Sequence, residues 1–194
     1  MRTLLRLSGL IDALTERVGR AVRWLVLVAV LVSAGNALVR YAFNRSSNAW
    51  LEIQWYLFAA VFLLCAGYAL KHNQHVRVDV IASRLSRRAQ AGLDVFGTLF
   101  FLLPMAALIA WLSWPVFLDS WRSGEVSANA NGLPLWPARA LVPAGFALLV
   151  LQGVSELIKR VAFLLGLVPD PADKEDAGAQ RELTAAILRN RGKD

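Results

Sequence analysis

Four apolar blocks, each near twenty residues long and bounded by charged stretches, set the terms on which this chain can fold. They run over about 21–43, 50–70, 91–117 and 138–160. A helix needs roughly 20 residues, at 1.5 Å of rise each, to cross about 30 Å of hydrocarbon. Lipid offers no partner for backbone N–H and C=O groups, and the blocks lack the alternation of barrel strands, so each reads as a transmembrane α-helix. The expected fold class is all-α, an integral membrane four-helix bundle. Composition agrees, because 57% of the residues are hydrophobic, more than an ordinary soluble domain carries.

Residues 1–20 have a different pattern. Leu4, Leu7, Ile11, Leu14 and Val18 recur at three- and four-residue spacing, with Arg6, Asp12, Glu16, Arg17 and Arg20 mostly on the other side. That pattern predicts an amphipathic helix lying in the headgroup plane, against phospholipid. A cleaved signal peptide is the competing reading, but the charged lead is long and the apolar stretch resumes after Ser33, Ala34 and Gly35, which favours an uncleaved segment. The division expected is an interfacial helix over 1–20, a four-span domain over 21–167 and a polar tail over 168–194. Pro104, within the third span, is expected to kink it, because the carbonyl of Phe100 loses its usual donor.

Charge sets the orientation. All Lys and Arg residues except Arg40, Arg45, Arg122 and Arg139 fall in the leader, between the second and third spans, or after the fourth. With four spans these three regions lie on one side, so the positive-inside rule places both termini in the cytoplasm. The net charge of +7 therefore reflects topology and implies no nucleic-acid partner, since the basic residues are not interleaved with exposed aromatics. The tryptophans lie mostly near span ends, as an aromatic belt does.

Chemistry-bearing residues are few. His72 and His75 sit in a basic loop and Cys65 is a lone cysteine inside a span, so haem, zinc and disulfide roles are not supported. Neither a nucleophile motif nor a phosphate-binding glycine loop is present, and the chain reads as a non-enzyme with no cofactor of its own. Polar residues in spans are costly and usually face a partner. Asn36 and Arg40 share a face of the first span. Glu52, about one turn inside the second, is within reach of Arg40 across a short connection. Gln152, Glu156 and Arg160 succeed one another at i, i+4, an order that favours a Glu156–Arg160 pair. Ala59, Ala60, Ala66, Gly67, Gly145 and Gly153 permit close helix packing.

Several stretches carry a resemblance: Asn36-Ala-Leu-Val-Arg40-Tyr-Ala-Phe; Trp50-Leu-Glu52-Ile-Gln-Trp55-Tyr-Leu-Phe; and Gly67-Tyr-Ala-Leu-Lys-His-Asn-Gln-His75-Val-Arg77-Val-Asp79. Ser120, Gly124-Glu125-Val-Ser127, Leu135-Trp-Pro137, Pro143-Ala-Gly-Phe146 and Leu149–Gln152 with Glu156 continue it. In this order the chain resembles the small membrane subunit of tripartite ATP-independent periplasmic (TRAP) transporters over about 20–160. It departs at Glu52-Ile-Gln54, where many relatives have a second acidic residue. The resemblance implies a non-catalytic scaffold in the bacterial inner membrane for a larger permease subunit. That partner would hold the substrate and sodium sites and be served by a periplasmic binding protein carrying an organic acid. Asn36, Arg40, Trp50, Glu52, Trp55, Arg77, Asp79, Gln152 and Glu156 are the candidate interface or structural residues. Arg122, Glu125 and Ser127 are the candidate contacts to the binding protein. The alternative is a small self-dimerising proton-coupled antiporter using Glu52, which would need that carboxylate to face a water-filled cavity near mid-membrane.

Overall fold

The computed structural model describes residues 2–43, 48–72 and 86–168. Over these the chain forms four long helices: α1 (Arg2–Phe43), α2 (Asn48–Lys71), α3 (Arg87–Ser123) and α4 (Trp136–Leu164). Each is long and apolar enough to cross a membrane. Ser8 meets Ser155 and Glu16 meets Lys71, while Gly67 lies against both Leu148 and Thr15, so α1 runs antiparallel to α2 and α4. Successive helices thus alternate in direction. One end of the bundle gathers the start of α1 and the close of α4 (the termini end); the other holds the connection between α3 and α4 (the loop end). α4 packs against all three other helices, whereas α3 packs substantially on α4 alone.

The inside is polar and small, the outside apolar and large. Buried positions include Ser8, Thr15, Glu52, Ser120, Gln152, Ser155 and Glu156 beside Ala29, Ala60, Ala106 and Ala162. Trp24, Trp55, Phe62, Phe101, Met105 and Trp111 are all exposed by more than 60%. In water this arrangement would not hold. In lipid the tails are as apolar as leucine, so association falls to close packing of small residues and hydrogen bonding between helices. Gly145 shows the tightness: a Cβ there would come 2.8 Å from the Leu63 carbonyl oxygen, so glycine lets the backbones of α2 and α4 approach closely.

Two local features refine the expectations. Residues 2–20, which fall in the segment expected as an amphipathic interfacial helix, form the first half of α1, whose helix continues unbroken to Phe43. Leu4, Leu7, Leu10 and Leu14 face outward, while Ser8, Ile11, Thr15 and Gly19 are buried against the bundle. Around Pro104 the helix turns from α to π over Thr98–Leu102, and the Leu103 N–H reaches the Thr98 carbonyl, five residues back. The wider turn absorbs the register change that a proline without a donor imposes.

Candidate functional site

Polar side chains concentrate at the two ends of the bundle. At the loop end, α3 stops at Gly124, whose φ of 63° forms a left-handed cap with its N–H on the Ser120 carbonyl. The chain then folds back on itself. Ser127 N–H donates to the Leu133 carbonyl at 2.9 Å and Leu135 N–H to the Glu125 carbonyl at 3.1 Å. Asn131 takes a φ of 57°, and Gly132 follows it in a turn so tight that a Cβ would fall 2.5 Å from the Ser127 carbonyl oxygen.

Into this loop projects Glu52 from the first turns of α2, only 4% exposed. One carboxylate oxygen accepts from the Asn129 side chain at 2.8 Å and the other from the Leu133 backbone N–H at 2.7 Å, and the Ser127 hydroxyl accepts from the Asn129 N–H at 3.4 Å. One turn on, Tyr56 donates to the Pro134 carbonyl at 3.1 Å. Glu125 and Arg139 form an ion pair that ties the start of the loop to α4. Trp121 and Trp136 pack edge to face across α3 and α4, with centroids 4.5 Å apart.

At the termini end the latches join helices directly. Asp12 on α1 accepts from Ser155 at 2.7 Å and from Gln152 at 3.0 Å, and pairs with Lys159 at 3.2 Å. Gln152, fully buried, also donates to Glu156 at 3.1 Å. Ser8 and Ser155 share a hydrogen bond of 2.8 Å. Glu16 pairs with Lys71 of α2 at 2.7 Å, with His72 3.2 Å away. Asp94 of α3 pairs with Arg160 of α4 at 2.6 Å.

Asp12 and Glu16 precede the apolar stretch of α1, and their surroundings hold both in the charged form. Burial works against the charge on Asp12, but hydrogen bonds from Ser155 and Gln152 and the Lys159 ammonium bring its carboxyl below the ordinary value. For Glu16 the hydrogen bond from Lys71 does most of this, aided by His72.

The expected residues fall in three groups. Glu52, Gln152 and Glu156 are in these latches. Glu52 is bonded to the loop where a pair with Arg40 had been expected, and Arg40 is exposed; a short sequence gap did not imply a shared site. Glu156 pairs with Lys159, and the Arg160 expected as its partner turns to Asp94 on the neighbouring helix. Glu125 and Ser127 are engaged within the chain, while Arg122 is exposed. Asn36 is buried on α1, and Trp50 and Trp55 face outward. Arg77 and Asp79 lie outside the described residues, as does the tail from residue 169. Ser8, Asp94, Ser155, Lys159 and the Asn129 anchor were not singled out from sequence, and Asp12 and Glu16 were read only as part of a polar helix face.

Residues 29–163 match the family model described as tripartite ATP-independent periplasmic transporters, DctQ component. The chain is 31% identical over 112 residues to a TRAP transporter small permease protein of Haemophilus influenzae, covering 57% of this chain and 65% of that one. It is 27% identical over 154 residues to the ectoine TRAP transporter small permease protein TeaB of Halomonas elongata, covering 79% of each. No solved structure matches it significantly.

Proposed function

Because the chain belongs to the DctQ component family of TRAP transporters, a non-catalytic class of transporter subunit in the bacterial inner membrane, we propose that it is the fixed brace for a larger permease subunit. That subunit would carry substrate and coupling ion, sodium in this reading, and would receive an organic acid from a periplasmic binding protein. Both termini are assigned to the cytoplasm, on the distribution of Lys and Arg.

One observation carries the bracing role: among the described residues, charged side chains set within the bundle bridge one element to the next. Glu52 secures the loop to α2, Asp12 and Glu16 secure α1 to α4 and α2, and Arg160 secures α4 to α3. A subunit latched at both ends resists shear between its helices, which is what a moving partner needs to push against. Glu52 fits poorly as the carrier of an antiporter, because both its oxygens already accept hydrogen bonds and it sits at the loop end, away from mid-membrane. On the same reading, Arg122 and the exposed crest Ala128–Asn131 form the surface the binding protein meets.

Uptake in proteoliposomes tests the assignment. Vesicles holding the large subunit and this chain, given binding protein and an inward sodium gradient, should accumulate the organic acid. Vesicles lacking this chain should not. Equal uptake without it would remove the proposal.

A further inference from the structure

Two buried side chains where α1, α2 and α4 meet have a polar atom with no hydrogen-bond partner among the described residues: the Thr15 hydroxyl and the Gln152 amide oxygen. Thr15 is 3% exposed and Gln152 is fully buried. A polar atom cut off from both water and protein is costly, and native structures seldom leave one so. The Gln152 amide cannot turn round to remove the problem. Its nitrogen donates to Asp12 at 3.0 Å and to Glu156 at 3.1 Å, and reversing it would set the oxygen against two carboxylates. The oxygen is therefore fixed as an acceptor that needs a donor.

Gly67 of α2 faces the same place from the third helix and is itself buried. A Cβ on it would lie 3.6 Å from the Thr15 methyl carbon and 3.4 Å from the Leu148 carbonyl oxygen. Leu148 is one helical turn before Gln152 on α4, so Thr15, Leu148 and Gln152 surround one point beside Gly67. Both distances are ordinary contacts, so packing alone would accept an alanine here; at Gly145, by contrast, a Cβ would come 2.8 Å from Leu63. The side chain that Gly67 lacks leaves room next to three polar groups. These are the Thr15 hydroxyl, the Gln152 amide oxygen and the second lone pair of the Leu148 carbonyl, whose first takes the helical N–H of Gln152. We propose that one water molecule is bound at this junction, accepting from the Thr15 hydroxyl and donating to the Gln152 amide oxygen and the Leu148 carbonyl. Three hydrogen bonds are the usual complement of a buried water, and one accepted with two donated uses both its protons. The water joins α1 to α4 one turn further from the termini end than Asp12 does, and α2 carries glycine there to leave it space.

Proton-detected solid-state NMR of the full chain in lipid bilayers, with magnetisation transferred from water, tests this. Thr15 and Gly67 should receive several-fold more water signal than Ala29 and Ala60, which are buried on the same two helices. Gly67→Ala should erase the signal at Thr15 and lower the unfolding midpoint in detergent, although alanine is the better helix former and its methyl fits. In a Thr15→Val background, where the water has lost its donor, the same substitution should no longer lower the midpoint. Water signal at Thr15 and Gly67 no greater than at Ala29 and Ala60 would overturn the proposal, as would a signal at Thr15 that survives Gly67→Ala. So would a Gly67→Ala chain at least as stable as its parent, since a methyl filling dry space gives that result.

Discussion

Replacing Glu52 with alanine should free the loop between α3 and α4 while leaving the helices in place. The carboxylate accepts hydrogen bonds from Asn129 and from the backbone N–H of Leu133. Bonds to a charged acceptor contribute about 1.5–3 kcal/mol each, and a buried donor left unpaired costs about 1–3 kcal/mol. The loop keeps its backbone bonds at Ser127 and Leu135 and its Tyr56 contact, so part of the loss is absorbed by relaxation. A net loss of about 3 kcal/mol of local stability is expected, equal to a rise of about two orders of magnitude in the open population at 1.4 kcal/mol per factor of ten. Hydrogen exchange of the amides in 125–135, measured in nanodiscs at neutral pH, reads this directly, with Leu133 the most informative site. Glu52→Gln keeps one acceptor and should lose roughly half as much. If Glu52→Ala left exchange in 125–135 unchanged while α2 remained folded, the carboxylate would not be what holds the loop.

Four other outcomes follow from the same geometry. Gly145→Val should drive α2 from α4, because its Cβ has no room at Leu63, and should destabilise the chain by about 1–3 kcal/mol in a thermal unfolding assay in detergent. Arg160→Ala removes the Asp94–Arg160 ion pair between α3 and α4 and should lower the unfolding midpoint in detergent measurably, against close to no change for Arg40→Ala on an exposed face. The carboxyls of Asp12 and Glu16 are held low, so their stabilisation is complete above the ordinary carboxylate range and is lost as pH falls through the depressed values. Unfolding midpoints followed from pH 7 downward should fall in that acid window, and the fall should shrink in Asp12→Asn. Lys71→Met removes the ammonium that pairs with Glu16 from α2, and protease cleavage within the first twenty residues of α1 should become faster.

The spans were legible because their signal is bulk hydropathy over a fixed thickness, which depends on no contact between helices. Gly145 and Gly67 were legible as packing positions for a related reason: in lipid only small residues let helices meet closely. The inward face of the first half of α1 follows from the same physics. Ser8, Asp12, Thr15 and Gly19 recur at spacings of four, three and four, which in a membrane bundle marks the inward face. Read by the rule for a surface-lying helix, those residues belong to the water side. The partners of Glu52 and Arg160 were not legible, since each lies on an element distant in sequence. Asn129 is 77 positions from Glu52, and only the fold of the loop, set by Gly124, Asn131 and Gly132, brings its amide to the carboxylate.

The most direct test of the bracing role is the mass of the intact assembly purified gently from native membranes by a tag on this chain. One copy bound to one larger polytopic protein is the expected result. A homodimer, or a monomer with no polytopic partner, would contradict it.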